Sequence, residues 1–160
     1  MSAQLKPVPA FARESSDTVI NEIAPLLEAH WAEIAHYPDI PVNVNYDAYF
    51  KFESLNALRI YTVRVGLALV GYAIFQVRPN LHYQSSLQAQ QDVLYLCPEH
   101  RNGRLGWRFI AWCDAQLQAE GVQVVYQHQK VAHPALGRIL HRLGYEAVDT
   151  LWAKRLDRGV

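Results

Sequence analysis

Two cysteines in a chain of 160 residues exclude a disulfide-stapled scaffold. Cys97 falls at a strand end and Cys113 on a helix face, so reduced thiols in a cytoplasmic protein are expected. Net charge is also missing. The 15 Lys and Arg balance 15 Asp and Glu, which removes the broad electrostatic argument for nucleic acid or an anionic membrane as partner. No apolar run is as long as a membrane span, and the opening residues lack the charged-then-apolar layout of a signal peptide. There is no internal repeat and no low-complexity tract. What is present is an ordinary globular balance, 51% hydrophobic and 19% charged, at a length that suits one domain with a proper core.

Residues 1–16 hold two prolines and little periodicity and read as an extended arm, leaving 17–160 as a single domain. Asp17 is placed to cap a helix whose apolar positions are Val19, Ile20, Ile23, Leu26, Leu27, Trp31 and Ile34. Pro25 either begins the main part of that helix or kinks it. Residues 37–45, with Pro38 and Pro41, are a loop, and 46–58 a second, short helix. Stretches 59–65 and 67–77 are rich in β-branched and aromatic residues and predict a hairpin turning at Gly66. Beyond a polar loop at 78–89, the pattern gives a strand at 92–97, a helix at 104–120 ended by Gly121, and a strand at 122–128. A helix at 134–143 stops at Gly144, and 145–156 is extended. The order α-α-β-β-β-α-β-α-β predicts an α/β protein with one mixed sheet and helices on both faces.

The most informative stretch is Leu94-Tyr95-Leu96-Cys97-Pro98-Glu99-His100-Arg101-Asn102-Gly103-Arg104-Leu105-Gly106-Trp107. An apolar strand meets a proline, then a turn rich in arginine and glycine, then an amphipathic helix. Such a turn presents unpaired backbone N–H groups at a helix N-terminus, where the dipole also favours an anion. Arg101 and Arg104 add fixed charge, and Gly103 and Gly106 allow close approach of the backbone. Phosphate or pyrophosphate is the natural occupant.

These residues resemble the GNAT superfamily of acetyl-CoA-dependent N-acetyltransferases, over most of 17–156. Leu96-Cys97-Pro98-Glu99-His100-Arg101 resembles the family pattern V-x-P-x-x-R. Arg101-Asn102-Gly103-Arg104-Leu105-Gly106 resembles its R/Q-x-x-G-x-G/A turn, with Arg104 where glycine is usual and Gly103 one place earlier. Leu140-His141-Arg142-Leu143-Gly144-Tyr145 is similar to the closing Y-E-K-L-G-F segment. The texture is most similar to members encoded in bacteriophage and prophage genomes. The resemblance implies a central, mostly antiparallel sheet of about six or seven strands. It implies acetyl-CoA as co-substrate, with its pyrophosphate on Arg101, Asn102, Gly103, Arg104, Leu105, Gly106 and Trp107. The pantetheine arm would pair along Leu94, Tyr95, Leu96 and Cys97, where that strand splays from the next. The thioester carbonyl is then expected near Leu96 and Cys97, with a backbone N–H holding the oxyanion.

The family's usual acid, a tyrosine of the last helix, is matched by Leu140, and the asparagine before that helix by His133. Other groups must then handle protons. Asp92, which by strand alternation shares a face with Leu94 and Leu96, is either a base toward the amine or a strand-edge carboxylate in a hydrogen bond. His133 or His128 could titrate near neutral pH, against a surface or packing role. Tyr145 and Tyr126 carry donatable protons, against a place in the core. A small buried thiol is preferred to an acetylated cysteine for Cys97. His128, Lys130 and His133 match no zinc signature, so no metal is expected. The first two helices and the loop after the hairpin would line the acceptor, with Trp31, Glu33, Tyr49 and Tyr83 as wall residues and Glu33 attracting a cationic amine.

The reading is thus transfer of an acetyl group to a primary amine of a small molecule or protein, by direct attack in a ternary complex. Acetyl-CoA and the amine are the partners, and a homodimer is compatible with the pattern. A catalytically idle coenzyme A-binding or protein-interaction module is the alternative, favoured by Leu140. DNA binding through Arg101, Arg104 and Arg108 is disfavoured, because phosphate already explains those arginines.

Overall fold

The computed structural model describes residues 7–157. Its elements are β1 (Pro9–Glu14), α1 (Ser16–Ile34), α2 (Tyr46–Ser54), β2 (Leu58–Val65), β3 (Ala68–Pro79), β4 (Leu87–Leu96), α3 (Leu105–Ala119), β5 (Val124–Tyr126) and α4 (Ala135–Arg142), with a 3-10 turn at Pro98–His100. The five strands form one sheet in the order β1-β2-β3-β4-β5. The first four run antiparallel to their neighbours, and β5 lies parallel to β4.

Strand alternation divides the core into two. On one face Val19 and Ile23 of α1 pack with Leu58, Ile60, Tyr72, Ile74, Tyr95 and Cys97, and Tyr49 of α2 joins them. On the other, Phe109, Cys113 and Leu117 of α3 pack with Tyr61, Val63, Ala73, Phe75 and Val77. Cys97 and Cys113 therefore sit on opposite faces as free thiols. Pro25 lies inside α1. The N-cap of α1 is Ser15 rather than Asp17, and the Ser16 N–H at that end donates to both carboxylate oxygens of Glu53, at 2.9 and 3.1 Å.

Other expectations also need correction. The described part of the N-terminal arm is a true edge strand: residues Pro9 to Glu14 pair with Val65 to Ile60. Phe11 fixes it by stacking on Phe109 at 5.6 Å, and Pro9 takes the first strand position, where a missing N–H is tolerated. The loop expected at 78–89 shrinks to 80–86, because the polar run Gln88, Gln90 and Gln91 continues β4. The sheet has five strands, fewer than about six or seven, since residues 145–156 join no ladder.

Register decides what β4 can do. Ile74 pairs with Val93 and Phe75 with Gln91, so Asp92 is the extra residue of a β-bulge. Before the bulge Leu87 and Ala89 pack toward α3, and beyond it Leu94 and Leu96 do so. One inserted residue has switched the parity, so Asp92 falls on the α1–α2 face beside Val93 rather than with Leu94 and Leu96.

Phe109 is 1% exposed at the centre of the α3 face. Phe109→Ala is expected to lower unfolding free energy by about 3–5 kcal/mol in urea titrations. Leu67→Ala, at a turn position 94% exposed, should change it by less than about 0.5 kcal/mol.

Candidate functional site

Strands β4 and β5 stay together for only three pairs, Gln88 with Val124, Ala89 with Val125 and Gln90 with Tyr126. Beyond them the chains part. The buried side chain of Gln91 stands in the fork and accepts the His128 N–H through Oε1 at 2.9 Å. Past this point β4 bonds only to β3. The Cys97 N–H donates to the Val70 carbonyl at 2.8 Å, so by antiparallel alternation Tyr95 and Cys97 face β3, and Leu94 and Leu96 turn their main-chain groups to the open edge. Arg101 takes the Leu96 carbonyl through Nε at 2.7 Å. The N–H groups of Leu94 and Leu96 and the carbonyl of Leu94 remain along the edge.

That edge runs into the N-terminus of α3. Within the helix the first paired N–H is that of Arg108, bonded to the Arg104 carbonyl at 2.9 Å, so Leu105, Gly106 and Trp107 carry unpaired amides. No acidic side chain occupies the first turn, and no side chain caps it. Gly103 takes φ +95°, a left-handed conformation that turns the chain into the helix. A Cβ at Gly106 would approach Leu96 Cδ2 at 3.8 Å and Ile139 Cδ1 at 3.9 Å, so glycine there leaves a slot between α3 and α4. A cavity of about 140 Å³ lies beside it, lined by Gly103, Arg104, Trp107, Ile139 and Arg142. The uncapped N-terminus of α3 and the two arginines Arg104 and Arg142 thus border one small space.

At the C-terminal end of β4 a second cluster forms against α1. Arg101 makes a two-pronged ion pair with Glu33, at 2.6 and 2.7 Å, and covers the Tyr95 ring. The guanidinium holds the Glu33 carboxyl below its usual range. His30 lies against Tyr95, with ring centroids 4.9 Å apart and the planes tilted by 37°. Burial lowers its pKa to about 4, and the charges of Glu33, Arg101, Lys130 and His133 also act on it. His30 is therefore a neutral imidazole at physiological pH. On the α2 side, the Tyr49 hydroxyl donates to Asp92, and burial followed by this bond pushes the phenol upward.

Solved structures share this architecture. A ribosomal-protein-alanine N-acetyltransferase from Brucella melitensis biovar Abortus 2308 superposes with TM-score 0.71 at 17% identity, covering 93% of this chain and 99% of that one. An aminoglycoside acetyltransferase from an uncultured soil metagenomic sample gives 0.73 at 12%, covering 93% and 97%. Aminoglycoside N-acetyltransferase AAC(6')-Iy, solved in complex with CoA, gives 0.70 at 13%, covering 98% and 100%. The fold is that of solved N-acetyltransferases. No family model matches the chain, and no curated protein matches it. Among the described residues no helix is long and apolar enough to cross a membrane, and no group of three His, Cys, Asp or Glu could hold a metal ion.

Within this fold the residues singled out from sequence separate into groups. Gly103, Arg104, Leu105, Gly106 and Trp107 come together at the α3 N-terminus, with Asn102 exposed in the preceding turn. Arg101 is directed instead onto Glu33 and Leu96, because its planar fork matches a carboxylate close by. The same pairing neutralises Glu33, which was expected to attract an amine. Cys97 has no free N–H for an oxyanion, and burial raises its thiol pKa, so the group stays protonated. Tyr145 donates to Asp114 of α3 at 2.6 Å, away from the Asp92–Tyr49 pair on the other face. His133 is exposed, its N–H bonded to the Lys130 carbonyl at 2.9 Å. Trp31 is half-buried on α1. Tyr83 is 67% exposed, and its neighbour His82 lines a separate cavity of about 200 Å³ with Asn80, Gln88 and Tyr126. Sequence reasoning did not single out Arg142, which borders the cavity at the α3 N-terminus, and did not foresee that partial burial keeps His30 neutral.

A histidine held neutral by burial destabilises the folded state wherever the unfolded chain can protonate it. Its folded pKa of about 4 lies below the ordinary histidine value of 6.5, so stability is full above about 6.5 and falls as pH drops toward 4. Allowing for partial exposure, the loss is on the order of 2 kcal/mol. His30→Gln should flatten the dependence of unfolding free energy on pH between 6.5 and 4, measured by urea titration at each pH.

Proposed function

We propose that the protein transfers an acyl group, acetyl first, from coenzyme A to a primary amine. The carrying observation is the fork: a strand edge with free Leu94 and Leu96 amides that leads directly into an uncapped helix N-terminus flanked by Arg104 and Arg142. An extended thioester carrier with a diphosphate at one end fits both features at once. The fold of AAC(6')-Iy, solved with CoA and with a CoA-S-monomethyl-acetylneamine bisubstrate analogue, is in keeping with this.

In this reading Gly103, Arg104, Leu105, Gly106, Trp107 and Arg142 bind the diphosphate, and the Leu94 and Leu96 main chain pairs with the pantetheine. The thioester oxygen takes an N–H on the open edge, Leu94 or Leu96, which stabilises negative charge as the amine nitrogen attacks the carbonyl carbon. Collapse breaks the carbon–sulfur bond, and the departing thiolate takes the proton that the amine nitrogen gives up after attack, directly or through water. Asp92, exposed at the bulge and bonded to Tyr49, is placed to accept the ammonium proton directly or through water. His30 is a second acceptor, neutral and close to the Leu96 end. Arg101 holds α1 against β4 and so positions His30. Direct attack is preferred to a Cys97 intermediate, whose thiol is held protonated.

The second reading is a coenzyme A-binding module without turnover. It rests on Leu140, an apolar side chain 8% exposed where a proton donor is usual in the resembled family. The two readings share the binding site and differ in the chemistry.

Calorimetry with acetyl-CoA should show saturable binding, and Gly106→Glu, which sets a carboxylate against the phosphate slot, should weaken it at least about tenfold, or about 1.4 kcal/mol. Absence of binding would sink both readings. Thiol release across a panel of primary amines should then reveal turnover, and Asp92→Asn should lower kcat about hundredfold with little change in acetyl-CoA affinity. Binding without turnover over the whole panel would select the idle module.

A further inference from the structure

The sheet carries a polar end that the acyl site does not use. Phe75, Val77 and Ala89 pack toward α3, so by strand alternation Gln76, Arg78, Gln88 and Gln90 lie on the opposite face. That is the face of Asp92 and Tyr49. Register sets Gln76 opposite Gln90 and Arg78 opposite Gln88. This end is open to solvent, with Arg78, Gln90 and Asp92 all exposed. The cavity of about 200 Å³ lies here, where β3 ends and β4 begins.

Its rim is held without help from Arg78. Asn80 accepts the N–H groups of His82 and Tyr83 at 2.8 and 3.2 Å and donates to Gln88 at 2.7 Å. Other arginines are committed to carboxylates: Arg64 to Glu14 and Glu22, Arg101 to Glu33, Arg155 to Asp39 and Asp157. The Arg78 guanidinium has no ion-pair or hydrogen-bond partner among the described residues. No acidic side chain among the described residues lines the cavity.

These features define the chemistry of an occupant. An uncommitted guanidinium, presented without a competing carboxylate, suits a carboxylate held by two parallel hydrogen bonds. The carboxamides of Gln76 and Gln90 both donate and accept, which suits a spacer made of amides rather than an apolar chain. Asp92, further along the same face, suits an ammonium group. From Gln88, opposite Arg78, to Asp92 is a stretch of roughly 13 Å along an extended strand. An extended tripeptide spans roughly 10 Å, and the length of the arginine side chain covers the difference.

We propose that the acceptor is a short peptide-like zwitterion, with its amine at Asp92, its amides over Gln76 and Gln90, and its carboxylate on Arg78. This rests on the acyltransferase reading for the fate of the amine, and it names the acceptor class for that same site. Arg78 selects the far end of the acceptor and takes no part in the transfer.

Calorimetry on the full chain, with and without coenzyme A, should compare triglycine, triglycine amide and glycylglycine aminoethylamide. These present an anion, a neutral group and a cation at the far end. Triglycine should bind at least about tenfold more tightly than either of the others. Arg78→Gln should abolish that preference, and Arg78→Glu should transfer it to the aminoethylamide, while acetyl-CoA affinity stays unchanged in both variants. Equal binding of the three peptides, no binding of any, or a preference that survives Arg78→Gln overturns the proposal. The preference is read as heat, without turnover. A chain that binds no acetyl-CoA but keeps the preference therefore overturns the acyltransferase reading and supports the carboxylate site. A chain that binds acetyl-CoA and treats the three peptides alike does the reverse.

Discussion

The structure depends on the parting of β4 from β5. Three parallel pairs hold the strands together, and after Gln90 and Tyr126 the ladder stops. Every unpaired main-chain group beyond the fork must find water, a side chain or a ligand, because a buried orphan is costly. Gln91 meets that need once, by accepting the His128 N–H, and Arg101 meets it once more at the Leu96 carbonyl. The remaining amides are what makes the edge capable of holding an extended ligand. The two-faced core keeps the fork open. Leu94 and Leu96 are anchored toward α3, while Tyr95 and Cys97 are anchored toward α1, so β4 cannot swing to follow β5.

Charge is distributed with less freedom than a neutral composition suggests. Arg101 is engaged by Glu33 and Leu96, so it serves as a strut between α1 and β4, and the cavity at the α3 N-terminus is bordered instead by Arg104 and Arg142. Arg64 likewise ties Glu14 of β1 to Glu22 of α1, each holding the other's charge. Beside the Arg101–Glu33 clamp His30 is kept neutral. Its depressed basicity is a consequence of burial against Tyr95, the same contact that seats α1 on the sheet.

Much of the fold was legible because the determining patterns are local. The hairpin around Gly66, the α3 stripe of Phe109, Cys113 and Leu117, and the glycine turn before α3 all show in short windows. Errors arose where a distant partner made the decision. β1 exists because Phe11 finds Phe109, nearly a hundred residues away, and its own sequence opens on a proline and alternates weakly. The polar glutamines of β4 looked like loop, yet flanking strands enforce their pairing. At the site, Gly103 to Trp107 could be read from the turn chemistry. The partners of Arg101 and Asp92 could not, because Glu33 and Tyr49 come from helices far along the chain.

By itself the sequence determined the hairpin at Gly66, the apolar stripe of α3 and the glycine turn before it, since each rests on preferences within a few residues. Only the tertiary structure decided which way the chemistry faces. The single extra residue at Asp92 reverses the parity of β4, and a strand's period of two makes such a reversal absolute. Likewise, whether an arginine binds phosphate or a neighbouring carboxylate depends on which charge lies nearer in space, a distance that no local spacing encodes.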